Sequence, residues 1–129
     1  MQRVFSDRLL TIYFDSEHSL LRMNRSAEPA IDAEDHIRTH QQVAIWQAKK
    51  AARLGLFDQR EAPSRHDREF ERLTIPVMAE HMARFQRAAV LVLTAVGALH
   101  VQHIARHGNS HVRGFHKEDA ALEYLLSGR

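Results

Sequence analysis

Half of the chain's ten histidines fall within one stretch, GALHVQHIARHGNSHVRGFH (97–116), as His100, His103, His107, His111 and His116. Three of them keep helical spacing. At about 100° per residue, His100, His103 and His107 lie within about 60° of one another. His103 and His107, at i and i+4, can turn both rings toward one zinc ion. A closed zinc site needs further ligands, and the chain has neither a cysteine nor an HExxH pattern. No metal and no cofactor are therefore expected. The stripe reads instead as the outer face of a helix, beside Val96 and Leu99. A mixed histidine and aliphatic surface suits a protein contact. Val96, Leu99, His100, His103 and His107 are the candidate interaction surface.

A second group stands where strands should end. In an open α/β sheet, ligands favour the crevice beyond the carboxyl ends of the strands. Asp58 and Arg60 close one apolar segment, and Thr94 closes another just before a helix that contains Gly97. The free N–H groups of that helix, with Thr94 and Gly97, can receive an anion that Arg60 supports. The plainer expectation is that Thr94 caps the helix and Asp58 pairs with Arg60. Ser64 is a third candidate. It stands at an expected helix start near Arg60, Arg65 and Arg68, where a phosphate would meet a favourable dipole. Its simpler role is an N-cap. Catalytic residues are not expected: there is no GxSxG, no glycine-rich phosphate loop and no nucleophile with an evident activating base.

These residues need elements to hold them. LLTIYFD (9–15) and SLLRMNRS (19–26) flank the polar break SEH and read as a hairpin. A long helix follows. Asp32 and Asp35 form its cap, acids crowd its first turn, Lys49, Lys50 and Arg53 crowd its last, and Gly55 ends it. Ile37, Ala44, Ala48 and Ala51 are its expected packing face, with Val43 and Trp46 beside it. LGLFDQR (54–60) is a strand. Ser64 and Asp67 open a second helix carrying Phe70, Leu73, Val77, Met78, Met82 and Phe85, which Pro76 should kink or restart. The Met/Phe stripe and Trp46 are expected in the core. AAVLVLT (88–94) is a central strand buried on both faces. VGALHVQHIARH (96–107) is a third helix closed by Gly108 and Asn109. HVRGFH (111–116) is the last strand and KEDAALEYLL (117–126) the last helix. The order is ββαβαβαβα, an α/β fold with a mixed, mostly parallel sheet of about five strands and four helices.

The 129 residues suit one domain spanning 1–129. A net charge of +2, with bases scattered among acids, argues against nucleic-acid binding. The absence of cysteine is compatible with a reducing compartment. Neither a signal peptide nor a membrane span is evident, so a cytoplasmic protein is expected.

Several stretches together resemble the STAS-like domains of the small bacterial SpoIIAA-like kind. They are IYFDSEHSLLRMNRS (12–26), LGLFDQREAP (54–63) with its Asp-x-Arg, FQRAAVLVLTAVGALHVQHIAR (85–106) and VRGFHKEDAALEYLL (112–126). The group shares its fold with anti-sigma-factor antagonists and resembles CRAL-TRIO lipid-transfer domains. The resemblance implies a non-enzymatic regulatory module that binds a protein partner or another copy of itself. The alternative is a carrier or sensor of a lipid or small anionic ligand at the strand ends. An undescribed enzyme ranks third. One departure counts against the phosphoswitch of the antagonists. They carry a compact Asp-Ser-Ser or Asp-Ser-Thr motif, whereas the comparable region here, FDQREAPSRHD (57–67), separates Asp58 from Ser64. Two structural observations divide the readings. An apolar cavity under the second helix, near Pro76, Met78 and Met82, favours the ligand; a filled core with Val96, Leu99 and the histidines exposed favours the partner.

Overall fold

The computed structural model describes residues 1–63, 67–107 and 111–127. The strands are β1 (Gln2–Ser6), β2 (Leu10–Asp15), β3 (Leu20–Arg25), β4 (Leu54–Asp58), β5 (Arg87–Leu91) and β6 (Val112–Phe115). The helices are α1 (Ala33–Lys50), α2 (Arg68–Met82), α3 (Ala95–Ala105) and α4 (Glu118–Leu126). All six strands form one sheet in sequence order. The β1–β2 and β2–β3 pairs are antiparallel, and β3 to β6 run parallel.

The sequence reading lacked β1, so the sheet has six strands rather than about five. β1 is an edge strand with most residues exposed or half-buried, and its register slips between Arg3 and Phe5. A strand that packs on one side only, and bulges, carries no clean alternation to read. Its turn into β2 is fixed by Asp7, whose Oδ1 accepts from the amides of Leu9 and Leu10 at 2.8 Å each.

The pleat sorts the apolar residues into two cores. Leu21 and Met23 of β3, Phe57 of β4 and Ala88 and Val90 of β5 face α1, α2 and α3. Leu20, Leu54, Leu56, Ala89 and Leu91 face α4, which adds Ala121 and Leu125. Three helices thus share one face and a single helix covers the other. Parallel strands in sequence order, joined by crossovers of one hand, allow little else.

The cap of α1 is as expected: the side chain of Asp32 accepts from the Asp35 amide at 2.8 Å. Its end differs. The helix stops at Lys50, and Ala51 takes the left-handed conformation at φ 49°. Gly55 lies instead within β4, where an added Cβ would come within 3.1 Å of the Phe85 ring. The packing face of α1 also differs. Asp35, Thr39, His40 and Val43 are buried, while Ala48 and Ala51 are exposed. In α2, Asp67 is the N-cap. Ser64 lies outside the described residues, as do Gly108 and Asn109. The helix runs through Pro76 without a restart. Pro76 is exposed.

Ala51 occupies a position that favours glycine, because a Cβ crowds the backbone at positive φ. Ala51→Gly is expected to stabilise the fold by about 1 kcal/mol. Urea unfolding checks this; an unchanged or lower midpoint would contradict it.

Candidate functional site

The carboxyl ends of β3, β4 and β5 meet helices on both faces, and the pleat decides which side chains go where. On the α4 face, four charges interlock. Arg22 Nη2 donates to Asp58 Oδ2 at 3.2 Å and to Glu118 Oε1 at 2.8 Å. Arg60 Nε and Nη2 donate to the two carboxylate oxygens of Asp58 at 2.9 and 2.8 Å. Arg60 Nη2 also reaches Glu118 at 3.4 Å. Burial acts to raise the Asp58 carboxyl, but its bonds to Arg60 and the nearby Arg22 hold it below the usual range. The bond from Arg22 lowers Glu118 in the same way. Two cations and two anions balance, and the cluster pins the first turn of α4 to β3 and β4. Asp58 therefore follows the plainer expectation and pairs with Arg60.

The opposite face holds a cavity of about 290 Å³. Met78, Met82 and Phe70 of α2, Val90 and Val92 beside β5, and Val101 and Ile104 of α3 form its apolar wall. Arg25, Arg60, His36, His100 and Glu71 supply its polar groups, and Pro29, Leu93 and Val96 also border it. The cavity lies under α2, as the ligand reading requires, although Pro76 is not part of it. Met78, Met82 and Phe70 are core residues, as expected, and also line an open space.

The other predicted residues divide. Arg60, Thr94 and Gly97 border the cavity, and Asp58 does not. Thr94 caps α3: its Oγ1 accepts from the Gly97 amide at 3.0 Å. Val96 and Leu99 are each 48% exposed. His103 is half-buried and His107 exposed. His100 leaves the stripe to face α2, with Nδ1 3.2 Å from Glu71 Oε1. Among the described residues, potential metal-ligand atoms gather only at Asp15, Glu17 and His18, within 4.8 Å of one another in the β2–β3 turn.

Three histidines between α1 and α2 escaped the sequence reading. His36 Nε2 lies 3.3 Å from Met78 Sδ, and its ring is 5.1 Å from that of His40. His40 is buried, lies 6.1 Å from the ring of His81 and stacks on Phe57 at 6.3 Å. Burial pushes His40 well below the ordinary imidazole value, and the nearby Arg25 pushes the same way. Burial, then Arg84, lowers His81. The signal available in sequence was His36 and His40 at i and i+4, on a helix whose other apolar positions are sparse.

A solved structure with the same architecture is an uncharacterised protein of the DUF3478 family from Shewanella loihica PV-4, described as having a SpoIIAA-like fold. It superposes with a TM-score of 0.61 over 95% of this chain and 99% of that one, at 14% identity. The fold is SpoIIAA-like. No family model matches the chain, and no curated protein does. At that identity the likeness fixes the SpoIIAA-like architecture, and the chemistry must come from the side chains described above.

The lowered histidines give stability a pH dependence of defined sign. Unfolded, His40 and His81 bind protons below about pH 6.5; folded, they resist them. Stability is full above that pH. It falls as the pH drops from about 6.5 toward the folded values, by about 1.4 kcal/mol per unit from His40 alone. His40→Leu is expected to flatten the slope of unfolding free energy between pH 6.5 and 5. Parallel slopes for wild type and variant would contradict this.

Proposed function

We propose that the protein is a binding module for a small apolar or amphiphilic molecule, held in the cavity between α1, α2, α3 and the sheet. One observation carries the reading: a 290 Å³ space walled by methionine, valine, isoleucine and phenylalanine opens at the carboxyl ends of β3 and β5. Ligand sites of this class are concave, mostly apolar and furnished with a few polar groups. This raises the ligand alternative above the partner reading that led from sequence. We read the module as non-catalytic. The Thr94 hydroxyl at the rim is committed to its cap, and Glu71 faces His100. A regulatory sensor or carrier in the cytoplasm is the setting we propose. No helix among the described residues is long and apolar enough to cross a membrane.

The partner reading keeps one observation of its own. Leu93, Val96 and Leu99 are 70%, 48% and 48% exposed, and the first two border the cavity. Such a patch suits a second copy or a partner that covers a loaded site.

N-phenyl-1-naphthylamine, which fluoresces in apolar surroundings, tests the main reading. Wild type is expected to bind it saturably. Met82→Trp, filling the wall, and Val96→Trp, narrowing the mouth, should each weaken binding by about tenfold, or 1.4 kcal/mol. Thermal unfolding establishes that each variant folds. Absence of saturable binding by wild type would sink the reading. For the partner reading, sedimentation should show wild type associating and Leu99→Asp associating less; two identical monomers would remove self-association.

A further inference from the structure

Resting on the cavity reading above, we propose that the ligand is a small monocarboxylate with an unbranched apolar tail, and that Arg25 reads its carboxylate. Arg25 is the last residue of β3, and the pleat places it on the same face as Leu21 and Met23. It borders the cavity and is only 6% exposed. Its Nη1 donates to the carbonyls of Ser26 and Glu28, both at 2.9 Å. Its Nε is buried with no hydrogen-bond partner.

The carbonyls satisfy hydrogens without neutralising charge, and a buried cation without a counter-ion is strongly disfavoured. Asp35 and Asp7 act on Arg25 through space only. Asp7 accepts from the Leu9 and Leu10 amides at 2.8 Å. Asp35 accepts from Arg8 at 2.7 Å and from the Ile31 amide at 2.9 Å. Arg60, the other guanidinium at the cavity among the described residues, is held by Asp58 at 2.8 Å. Glu71, the acid in the wall, faces His100 at 3.2 Å. Arg25 is thus a buried cation without an ion pair among the described residues. A guanidinium gives a carboxylate charge-assisted hydrogen bonds that a neutral head group cannot match.

The tail follows from the wall. Methionines adapt to a flexible chain, and the wall they share with Val90, Val101 and Ile104 is apolar. Octanoate joins such a chain to a single carboxylate. A dianionic phosphate would bring more charge than Arg25 answers.

Calorimetric titration of the wild-type protein at neutral pH with octanoate, 1-octanol and octyl phosphate tests the proposal. Octanoate should bind about tenfold or more tighter than the alcohol and tighter than the phosphate. In Arg25→Met the advantage over the alcohol should vanish while the alcohol still binds. If that variant fails to fold, the wild-type series decides alone. Equal binding of octanoate and octanol by wild type would overturn the role of Arg25 and leave the cavity reading intact. Preference for octyl phosphate would overturn the carboxylate in favour of a phosphoryl head. Binding of none of the three would bring down the cavity reading itself.

Discussion

Sheet order controls this molecule. When four parallel strands stand in sequence order, their connecting helices must share one face. Here α1, α2 and α3 do so, and the chain returns across the far edge to place α4 alone on the other. The two faces then meet different demands. One helix on four strands packs closely around Leu56, Leu91 and Leu125. Three helices of unequal length on the other face leave a space beneath α2 at the strand ends.

Charge follows the same division. Adjacent residues at a strand end point to opposite faces. The α4 face receives Arg22, Asp58 and Glu118 in a balanced cluster with Arg60. The helical face receives Arg25, buried and, among the described residues, bonded to the carbonyls of Ser26 and Glu28. Beside it lie the lowered imidazoles of His40 and His81. The first face is electrostatically closed and anchors α4. The second carries positive charge into an apolar space, which is an arrangement for receiving an anion.

Much of the architecture was legible in the chain. The Asp32 cap, the hairpin either side of SEH, the apolar run 88–94 and the terminal strand and helix all carry local signals strong enough to survive packing. β1 was not legible, because an exposed, bulged edge strand has no period to read. The end of α1 was misplaced because Ala51, not a glycine, takes the left-handed position. The candidate site was legible in part. Arg60, Thr94 and Gly97 do gather at the strand ends, but Asp58 belongs to the other face. That parity was available in the alternation of Leu54, Leu56 and Asp58. Arg25 and the pair His36 and His40 were hidden for a different reason. A charged or titratable residue looks like surface until the fold buries it, and only tertiary packing does that. Sequence also made the α3 histidines the focus, although His100 alone of that stripe borders the cavity.

The central claim is that this cavity holds an apolar chain with its anionic end at Arg25. A crystal structure of the protein grown with octanoate tests it most directly. The account predicts density for the chain between Met78, Met82, Val90 and Ile104, with the carboxylate in hydrogen-bond reach of the Arg25 guanidinium. A cavity without ligand density, or octanoate bound there with its carboxylate away from Arg25, would contradict it.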